Sequence, residues 1–244
     1  MSIKLNCDMG EGFGLWEMGL DEQIMPHINM ANLACGFHAS DALTMKNSVA
    51  LAKKYDVTIG AHPGYQDLVG FGRRSMNCTS EEISAIVLYQ LGALDAFCKT
   101  QDSKVSYVKP HGALYNDMMK DEKIYKAILK AISSYDKKIK LMILSNKNNE
   151  KYKEIAKEFG LSLLYEVFAD RNYNDDGSLV ARTNKNAVIH NDAEVSNRVQ
   201  VLKNEGYLRS INNQKLFLTA DAVCVHGDNE QALEFIKLLK KVLS

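Results

Sequence analysis

The sequence predicts an α/β protein built as a seven-stranded (β/α) barrel of the TIM type. Short apolar runs alternate with helical patterns, which is typical of a parallel sheet wrapped by helices. There are seven such runs, at 3–7, 28–35, 57–61, 105–109, 140–144, 161–168 and 222–226. Six of the seven end in an ionisable side chain, as expected if a site forms at the carboxyl ends of barrel strands. An open, doubly wound sheet would also fit the alternation, although no GxGxxG motif opens the first helix.

Periodic apolar residues and capping signals predict the helices between these strands. Residues 79–98 begin with the capping box of Thr79 and Glu82, and apolar side chains follow at helical spacing. Further helices are predicted over 121–134, 147–160, 191–206 and 229–243. Residues 207–218 have the pattern of a hairpin with an Asn-Asn turn. Because no segment has the composition of a linker, residues 1–244 are expected to form a single β/α-barrel domain.

Composition and charge argue against several classes of function. The 244 residues carry 30 basic and 30 acidic side chains, and this balance disfavours nucleic acid or a membrane surface as the main partner. No apolar run reaches the about 18 residues that a membrane span requires. The first residues lack the apolar region of a signal peptide. Five cysteines without a CxxC pair indicate free thiols, so a cytoplasmic location is expected.

The residues that follow the apolar runs form the candidate site, because the carboxyl ends of barrel strands meet at one face. The candidate catalytic residues are Asp8, Glu11, His62, Lys109, His111, Asp170 and His226. The candidate substrate-binding residues are His38, Arg171 and Asp228 at strand ends and Arg73 in a loop. A single histidine at a strand end is more often structural. Four of the six histidines at one face favour a functional cluster, because burying them together costs desolvation repeatedly.

The stretch "YVKPHGALYN" concentrates this chemistry at one strand end. Lys109 and His111 would project into the shared site, with Pro110 fixing the backbone between them. Gly112 would permit a tight backbone approach beside a ligand. A plain turn would explain the proline and the glycine but not the two cationic side chains. Since Lys109 would supply charge rather than core volume, its loss is expected to leave folding almost unchanged.

Two further motifs are less specific, and a metal site remains open. The loop "GFGRR" could bind a carboxylate or phosphate through Arg73 and Arg74, or it could be a solvated basic loop. The stretch "GEGFGLWEMG" lacks the Lys and Ser/Thr of a Walker phosphate loop. If a divalent metal is bound, Asp8, His38 and His62 are the candidate ligands, although no HxxxH, HExxH or CxxC motif is present.

Six motifs in order resemble the LamB/YcsF family: "LNCDMGEGFG", "ANLACGFHASD", "GAHPGYQDLVGFGRR", "VKPHGALYN", "EVFADRNY" and "VCVHGD". The resemblance spans residues 5–228 and implies a seven-stranded barrel similar to that of sugar deacetylases. It further implies a subunit of an ATP-dependent 5-oxoprolinase, which opens the lactam of 5-oxo-L-proline to L-glutamate. ATP, expected with Mg²⁺, would be the co-substrate, and B and C subunits would be the partners. The family's motif residues fall on the strand-end candidates named above.

The implied reaction suits these residues, but two other functions remain compatible with them. Phosphorylation of the lactam oxygen would make the amide a better electrophile, so acid/base groups would suffice without a nucleophilic triad. Lys109 or Arg171 could hold a carboxylate or oxyanion. Asp8 or Glu11 could move a proton, and histidines that titrate near neutrality could relay it. The alternatives are a metal-dependent amidohydrolase or deacetylase that acts alone, and a non-catalytic subunit that holds the substrate for its partners.

Overall fold

The computed structural model describes residues 3–16, 18–181, 183–225 and 232–243. Its strands are β1 (Lys4–Met9), β2 (Met30–Ala34), β3 (Thr58–His62), β4 (Tyr107–Val108), β5 (Lys140–Leu144), β6 (Leu163–Phe168), β7 (Tyr207–Arg209), β8 (Lys215–Phe217) and β9 (Ala222–Val225). Strands β1 to β6 and β9 form a closed parallel barrel, in which β1 pairs with both β2 and β9. The predicted seven-stranded barrel is thereby confirmed. Strands β7 and β8 form the predicted antiparallel hairpin outside it.

The helices lie where the periodic patterns predict them, with some additions. They are α1 (Asp21–Ile24), continued by a 3₁₀ turn (Met25–His27), α2 (Ala42–Lys54), α3 (Ser80–Thr100), α4 (Gly112–Met118), α5 (Glu122–Tyr135), α6 (Asn149–Glu158), α7 (Asp192–Glu205) and α8 (Ala232–Leu243). The capping box predicted at the start of α3 is present, with Thr79 and Glu82 each bonding the other's backbone N–H. Among the described residues, no helix is both long and apolar enough to cross a membrane.

A small apolar layer closes the inside of the barrel below the candidate site. It consists of Met30, Tyr107, Met142 and Ala222, with Leu164 packed against them. The Tyr107 ring lies over Gly60, its partner on the adjacent strand β3, where an added Cβ would come within 2.2 Å of the ring. At its far end the Tyr107 hydroxyl donates to Asn32 Oδ1 at 2.6 Å. This layer separates the lower barrel from the polar groups above it.

Candidate active site

A cavity of about 330 Å³ opens at the carboxyl ends of the strands. This volume lies near the lower end of the about 300–1,000 Å³ typical of small-molecule sites. Seven of the eleven predicted site residues line it: Asp8, Glu11, His62, Arg73, Lys109, His111 and Arg171. The barrel therefore brings residues from distant parts of the sequence to one small space.

The other four predicted residues have different positions. His38 is completely buried behind the cavity lining, where its ring stacks on His111 with 3.7 Å between centroids. Asp170 lies two residues after the end of β6 and is partly exposed, and its backbone carbonyl accepts a hydrogen bond from Ile189 N at 2.8 Å. Neither side chain is part of the described lining of the cavity. His226 and Asp228 were also predicted, but they lie outside the described residues.

Lys109 is held inside the barrel by two carboxylates. It follows the interior Tyr107 by two positions, and alternation along the strand turns both side chains inward. Its Nζ atom lies 3.0 Å from Asp8 Oδ1 and 2.9 Å from Glu166 Oε1. Burial alone would lower the pKa of Lys109, but its neighbours, Asp8 first and then Cys224 and Glu166, outweigh burial and raise the pKa well above the ordinary lysine value. Lys109 is therefore a permanent cation that fixes both carboxylates.

This burial changes what is expected of Lys109. Only 2% of the residue is exposed, so its removal would leave the Asp8 and Glu166 carboxylates desolvated without a cation. Leaving a buried charge unpaired costs about 3–5 kcal/mol in known cases. The expectation that loss of Lys109 would spare folding is not supported, because this lysine belongs to a buried ionic network.

Glu166 was missed by the sequence analysis. It lies within β6, is completely buried, and accepts a hydrogen bond from the Tyr115 hydroxyl at 3.1 Å. The available signal was a single acidic residue inside the apolar run "LSLLYEVF", two positions before Phe168, which lines the cavity. A carboxylate inside an apolar strand is costly unless it is paired, so its presence there indicated a partner.

Asp8 is oriented by a second polar contact besides Lys109. In the parallel register of β1 and β2, Asp8 lies beside Asn32. The Asn32 amide donates to Asp8 Oδ1 at 2.8 Å and to Asn6 Oδ1 at 2.8 Å. The amide carbonyl of the same side chain accepts from the Tyr107 hydroxyl. Asn32, itself held by Tyr107 inside the barrel, therefore fixes the orientation of the Asp8 carboxylate.

Three histidines and Glu11 converge beside this network. His62 Nδ1 lies 2.6 Å from the backbone carbonyl of Lys109, and His111 Nε2 lies 2.9 Å from that of Phe71. The remaining nitrogens, His62 Nε2 and His111 Nδ1, are 3.0 Å apart. Glu11 Oε1 lies 3.4 Å from His111 Nδ1 and 3.2 Å from His38 Nε2. Two rings of the cluster, those of His62 and His111, are thus each held by one N–H that donates to a backbone carbonyl.

The protonation of two of these histidines differs from the sequence-based expectation. Burial lowers the pKa of His38 well below the ordinary histidine value, and the neighbouring His62 acts in the same direction. Burial also lowers the pKa of His111 well below that value, with further contributions from His38 and His62. His38 and His111 are therefore neutral imidazoles at neutral pH rather than groups that titrate there.

The "GFGRR" loop packs directly against the histidines, and glycine is required where it does so. A Cβ on Gly72 would lie 2.7 Å from His38 Cβ and 2.8 Å from His111 Cδ2. Gly112 has a φ of +53°, and a Cβ there would lie 2.6 Å from the carbonyl oxygen of Gly72. The tight approach expected at Gly112 therefore involves this loop's backbone.

The two arginines of this loop have different surroundings. Arg74 is paired with Asp67, with Nε 3.0 Å from Asp67 Oδ2 and a further contact from Nη2 to Oδ1. Arg73 is exposed, lines the cavity, and lies 5.1 Å from the centroid of the Phe71 ring. Of the two, Arg73 is the one placed to meet an anionic group of a ligand.

Arg171 contacts the backbone of the segment that follows β6. Its Nε donates to the carbonyl of Ala187 at 3.2 Å, and its Nη2 donates to that of Val180 at 2.8 Å. Only 6% of the residue is exposed, although it lines part of the cavity. These contacts link Arg171 to two later points of the segment after β6, and its predicted contact with substrate remains a prediction.

A group of possible metal ligands is present in the described part of the chain. It consists of Glu11, His38, His62 and His111, whose ligand atoms lie within 4.8 Å of one another. Two of the three ligands suggested from the sequence, His38 and His62, are in this group. Asp8, the third, instead contacts Lys109 and Asn32 through Oδ1, while its Oδ2 lies 3.4 Å from His62 Nε2.

Comparisons with known proteins agree with the sequence motifs. The family model described as the LamB/YcsF family matches residues 3–244. A Vibrio campbellii protein, named as the A subunit of 5-oxoprolinase, is 50% identical over 241 residues, covering 99% of this chain and 95% of the relative. A protein of the same name from Pyrococcus horikoshii is 48% identical over 243 residues, covering 100% of this chain and 94% of the relative. The crystal structure of a lactam utilization protein from Thermus thermophilus has a TM-score of 0.92 at 37% identity, covering 100% of this chain and 96% of that chain.

Proposed function

Since this chain belongs to the LamB/YcsF family, we propose that it is a subunit of an ATP-dependent 5-oxoprolinase. The complex opens the lactam of 5-oxo-L-proline to L-glutamate while ATP is hydrolysed to ADP and phosphate. The names of the relatives support this substrate class. The observation that carries the proposal is the buried Asp8–Lys109 pair at a small cavity that also contains two imidazoles and Glu11.

The two polar ends of 5-oxo-L-proline fit two differently placed cations. Arg73 is exposed at the cavity, where its guanidinium suits the substrate carboxylate. Lys109 lies deeper, with its charge fixed between Asp8 and Glu166. We assign the carboxylate of the substrate to Arg73 and its lactam to the Lys109 side. In this orientation the developing charge on the lactam oxygen lies nearest the buried cation.

Asp8 is the group best placed to move a proton. Lys109 and the Asn32 amide both contact its Oδ1, which leaves Oδ2 directed toward His62 Nε2 at 3.4 Å. A carboxylate kept ionised by a fixed cation can accept a proton from water or from the lactam N–H. His62 is held in place beside Asp8, because its Nδ1 contacts the carbonyl of Lys109.

ATP accounts for the energetic difficulty of the reaction. A five-membered lactam is a resonance-stabilised amide, and transfer of a phosphoryl group to its oxygen makes the ring carbon a better electrophile. We propose that ATP, with Mg²⁺, acts as co-substrate of a complex with B and C subunits. Because the sequence has no Walker phosphate loop, the chain by itself should show little 5-oxoproline-dependent ATP hydrolysis. The five free thiols support the proposed cytoplasmic location.

The proposal is tested by measuring glutamate and ADP with and without the partner subunits. We expect both products, in equal amounts, only when the chain, its partners, ATP and 5-oxo-L-proline are combined. Lactam opening by the chain alone, without ATP and after addition of a metal to chelated protein, would favour the amidohydrolase alternative and refute the proposal.

The Asp8→Asn variant, assayed in the reconstituted complex, distinguishes a catalytic role of this subunit from a role in which it only holds the substrate. If Asp8 moves a proton, kcat should fall by about 10²-fold or more while KM changes little. If the subunit only holds the substrate, KM should rise and kcat at saturation should remain near the wild-type value. Circular dichroism of the variant excludes loss of folding as the cause.

A further inference from the structure

His62 and His111 face each other through the ring nitrogens that do not contact a backbone carbonyl. A backbone carbonyl can only accept a hydrogen bond, so His62 Nδ1 and His111 Nε2 must carry hydrogens where they contact the carbonyls of Lys109 and Phe71. In a neutral imidazole the other nitrogen then has a lone pair. These nitrogens, His62 Nε2 and His111 Nδ1, are only 3.0 Å apart, so two neutral rings would place their lone pairs against each other. A cation placed between them would turn this repulsion into attraction.

A third acceptor points to the same place. Glu11 Oε1 lies 3.4 Å from His111 Nδ1. Around an ion bonded at about 2.1 Å, donor atoms at angles of about 90–110° are about 3.0–3.4 Å apart. The spacings of 3.0 and 3.4 Å fall in this range, and Glu11 Oε1 and His62 Nε2 belong to a group of ligand atoms that lie within 4.8 Å of one another. A proton would satisfy one pair of acceptors, whereas a metal ion would satisfy all three.

The anchoring of the two rings is also that of metal ligands. A histidine that binds a metal usually donates its other N–H to a carbonyl or carboxylate, which fixes the tautomer and the ring orientation. His62 and His111 both do so through backbone carbonyls. We propose that His62 Nε2, His111 Nδ1 and Glu11 Oε1 bind a divalent transition-metal ion.

The position of the three donors leaves room for further ligands. His62, His111 and Glu11 all line the cavity, so an ion bound by them would have open positions on the cavity side. Two imidazoles and one carboxylate suit ions such as Zn²⁺, Mn²⁺, Co²⁺ or Fe²⁺ better than Ca²⁺. Such an ion can polarise a carbonyl oxygen or activate water when bound.

His38 acts on this site through Glu11. Its ring is parallel to that of His111, with 4° between the planes, so both lone pairs cannot point at one ion in this arrangement. His38 Nε2 instead lies 3.2 Å from Glu11 Oε1, where its N–H can orient the carboxylate. His38 is therefore a positioning residue for the third donor.

Metal binding can be tested without ATP or 5-oxo-L-proline, so its outcome is independent of the proposed function. The full chain is treated with a chelator and dialysed. Zn²⁺ binding is then measured by calorimetry, and Co²⁺ binding by visible absorption. We expect one ion per chain. His111→Asn and Glu11→Gln should each lower the affinity by more than about 100-fold, above the range for loss of an outer-sphere partner.

The matched control is His190→Asn, because His190 is exposed and lines a different cavity. It should bind Zn²⁺ like the wild type. Absence of stoichiometric binding to the wild-type chain would overturn the proposal, as would unchanged binding to well-folded His111→Asn and Glu11→Gln proteins. If a variant does not fold, ¹⁵N-histidine spectra of the wild type decide. Zn²⁺ should shift the signals of His62 and His111, and spectra that do not respond would indicate a shared proton instead.

Discussion

Lys109 and Arg171 are both cations at strand ends and both line the cavity, yet the partners described for them differ. Lys109 Nζ is 3.0 and 2.9 Å from the carboxylates of Asp8 and Glu166. Arg171 donates to two backbone carbonyls of the segment after β6. The two carboxylates fix the Lys109 charge inside the cavity, whereas the two carbonyls fix the Arg171 side chain against the backbone of the segment after β6. The strand-end position alone therefore does not define a residue's role.

The largest effect is expected at Lys109. Lys109→Met should lower turnover of the reconstituted complex by about 10²-fold or more, the scale for loss of one electrostatic stabiliser. It should also lower the free energy of unfolding by about 3–5 kcal/mol, because the buried Glu166 and the partly buried Asp8 would remain without a cation. Glutamate production and urea unfolding measure the two effects.

The matched control for this variant is Lys123→Met on the exposed side of α5. It should change neither turnover nor stability appreciably, since an exposed lysine loses little on replacement. Near-wild-type turnover of a folded Lys109→Met protein would remove the central role assigned to this lysine.

Arg171→Met should affect stability more than chemistry. Loss of two charged hydrogen bonds to backbone carbonyls should cost about 3 kcal/mol, and Arg171→Lys should not fully restore it because lysine lacks the two-pronged geometry. Proteolysis of residues 171–187 should accelerate in step with the loss of stability. If Arg171→Met instead lowers kcat by about 10²-fold at wild-type stability, the contrast with Lys109 is wrong and Arg171 contacts the substrate.

Glu166→Gln tests whether both carboxylates are needed around the lysine. The variant keeps the shape of the side chain and a partner for the Tyr115 hydroxyl, but it removes one charge beside Lys109. The free energy of unfolding should fall by about 1.5–3 kcal/mol, the range for a hydrogen bond to a charged group. Turnover should fall less than in Lys109→Met, because Asp8 still pairs with the lysine. Equal losses in the two variants would contradict this ranking.

The smallest effect concerns Asp21, a partly buried carboxylate whose described contact is an N–H group rather than a cation. Burial raises the pKa of Asp21 to about 6, although the hydrogen bond from Gly10 N acts against this shift. The folded state therefore retains the proton to a higher pH than the unfolded state. The stabilisation is present below about pH 4 and is lost as the pH rises through 6.

Asp21→Asn removes this titration. Its stability relative to the wild type should rise by about 1–2 kcal/mol between pH 4 and pH 7. Urea unfolding of both proteins at the two pH values measures the change, and any fixed effect of the substitution cancels in the difference. A stability difference that does not depend on pH would show that Asp21 is not the group responsible.

Much of this site could be predicted from strand ends alone. The rule that parallel strands direct their carboxyl ends to one face brought together Asp8, His62, Lys109 and His111, which are far apart in the sequence. Apolar runs and capping signals located the barrel and most of its helices, because local periodicity reflects which side of an element is buried. The short helix α4 was missed, since it begins directly after a strand-end residue.

What strand ends could not show is how side chains pair inside the barrel. Glu166 lies within a strand, and its role depends on Lys109, 57 residues earlier in the chain. His38 follows the second apolar run like the other candidates, but the loop carrying Gly72 packs it behind the cavity. Such pairings follow from barrel closure and loop packing, which no local pattern encodes.

The central claim is that 5-oxo-L-proline binds at the cavity of Asp8 and Lys109. It is tested most directly by adding 5-oxo-L-proline to the ¹⁵N-histidine-labelled chain and following each imidazole signal. The account predicts saturable shifts of His62 and His111, which line this cavity, and no shift of the exposed His190, which lines another. A saturable shift of His190 with unchanged His62 and His111 signals would contradict it.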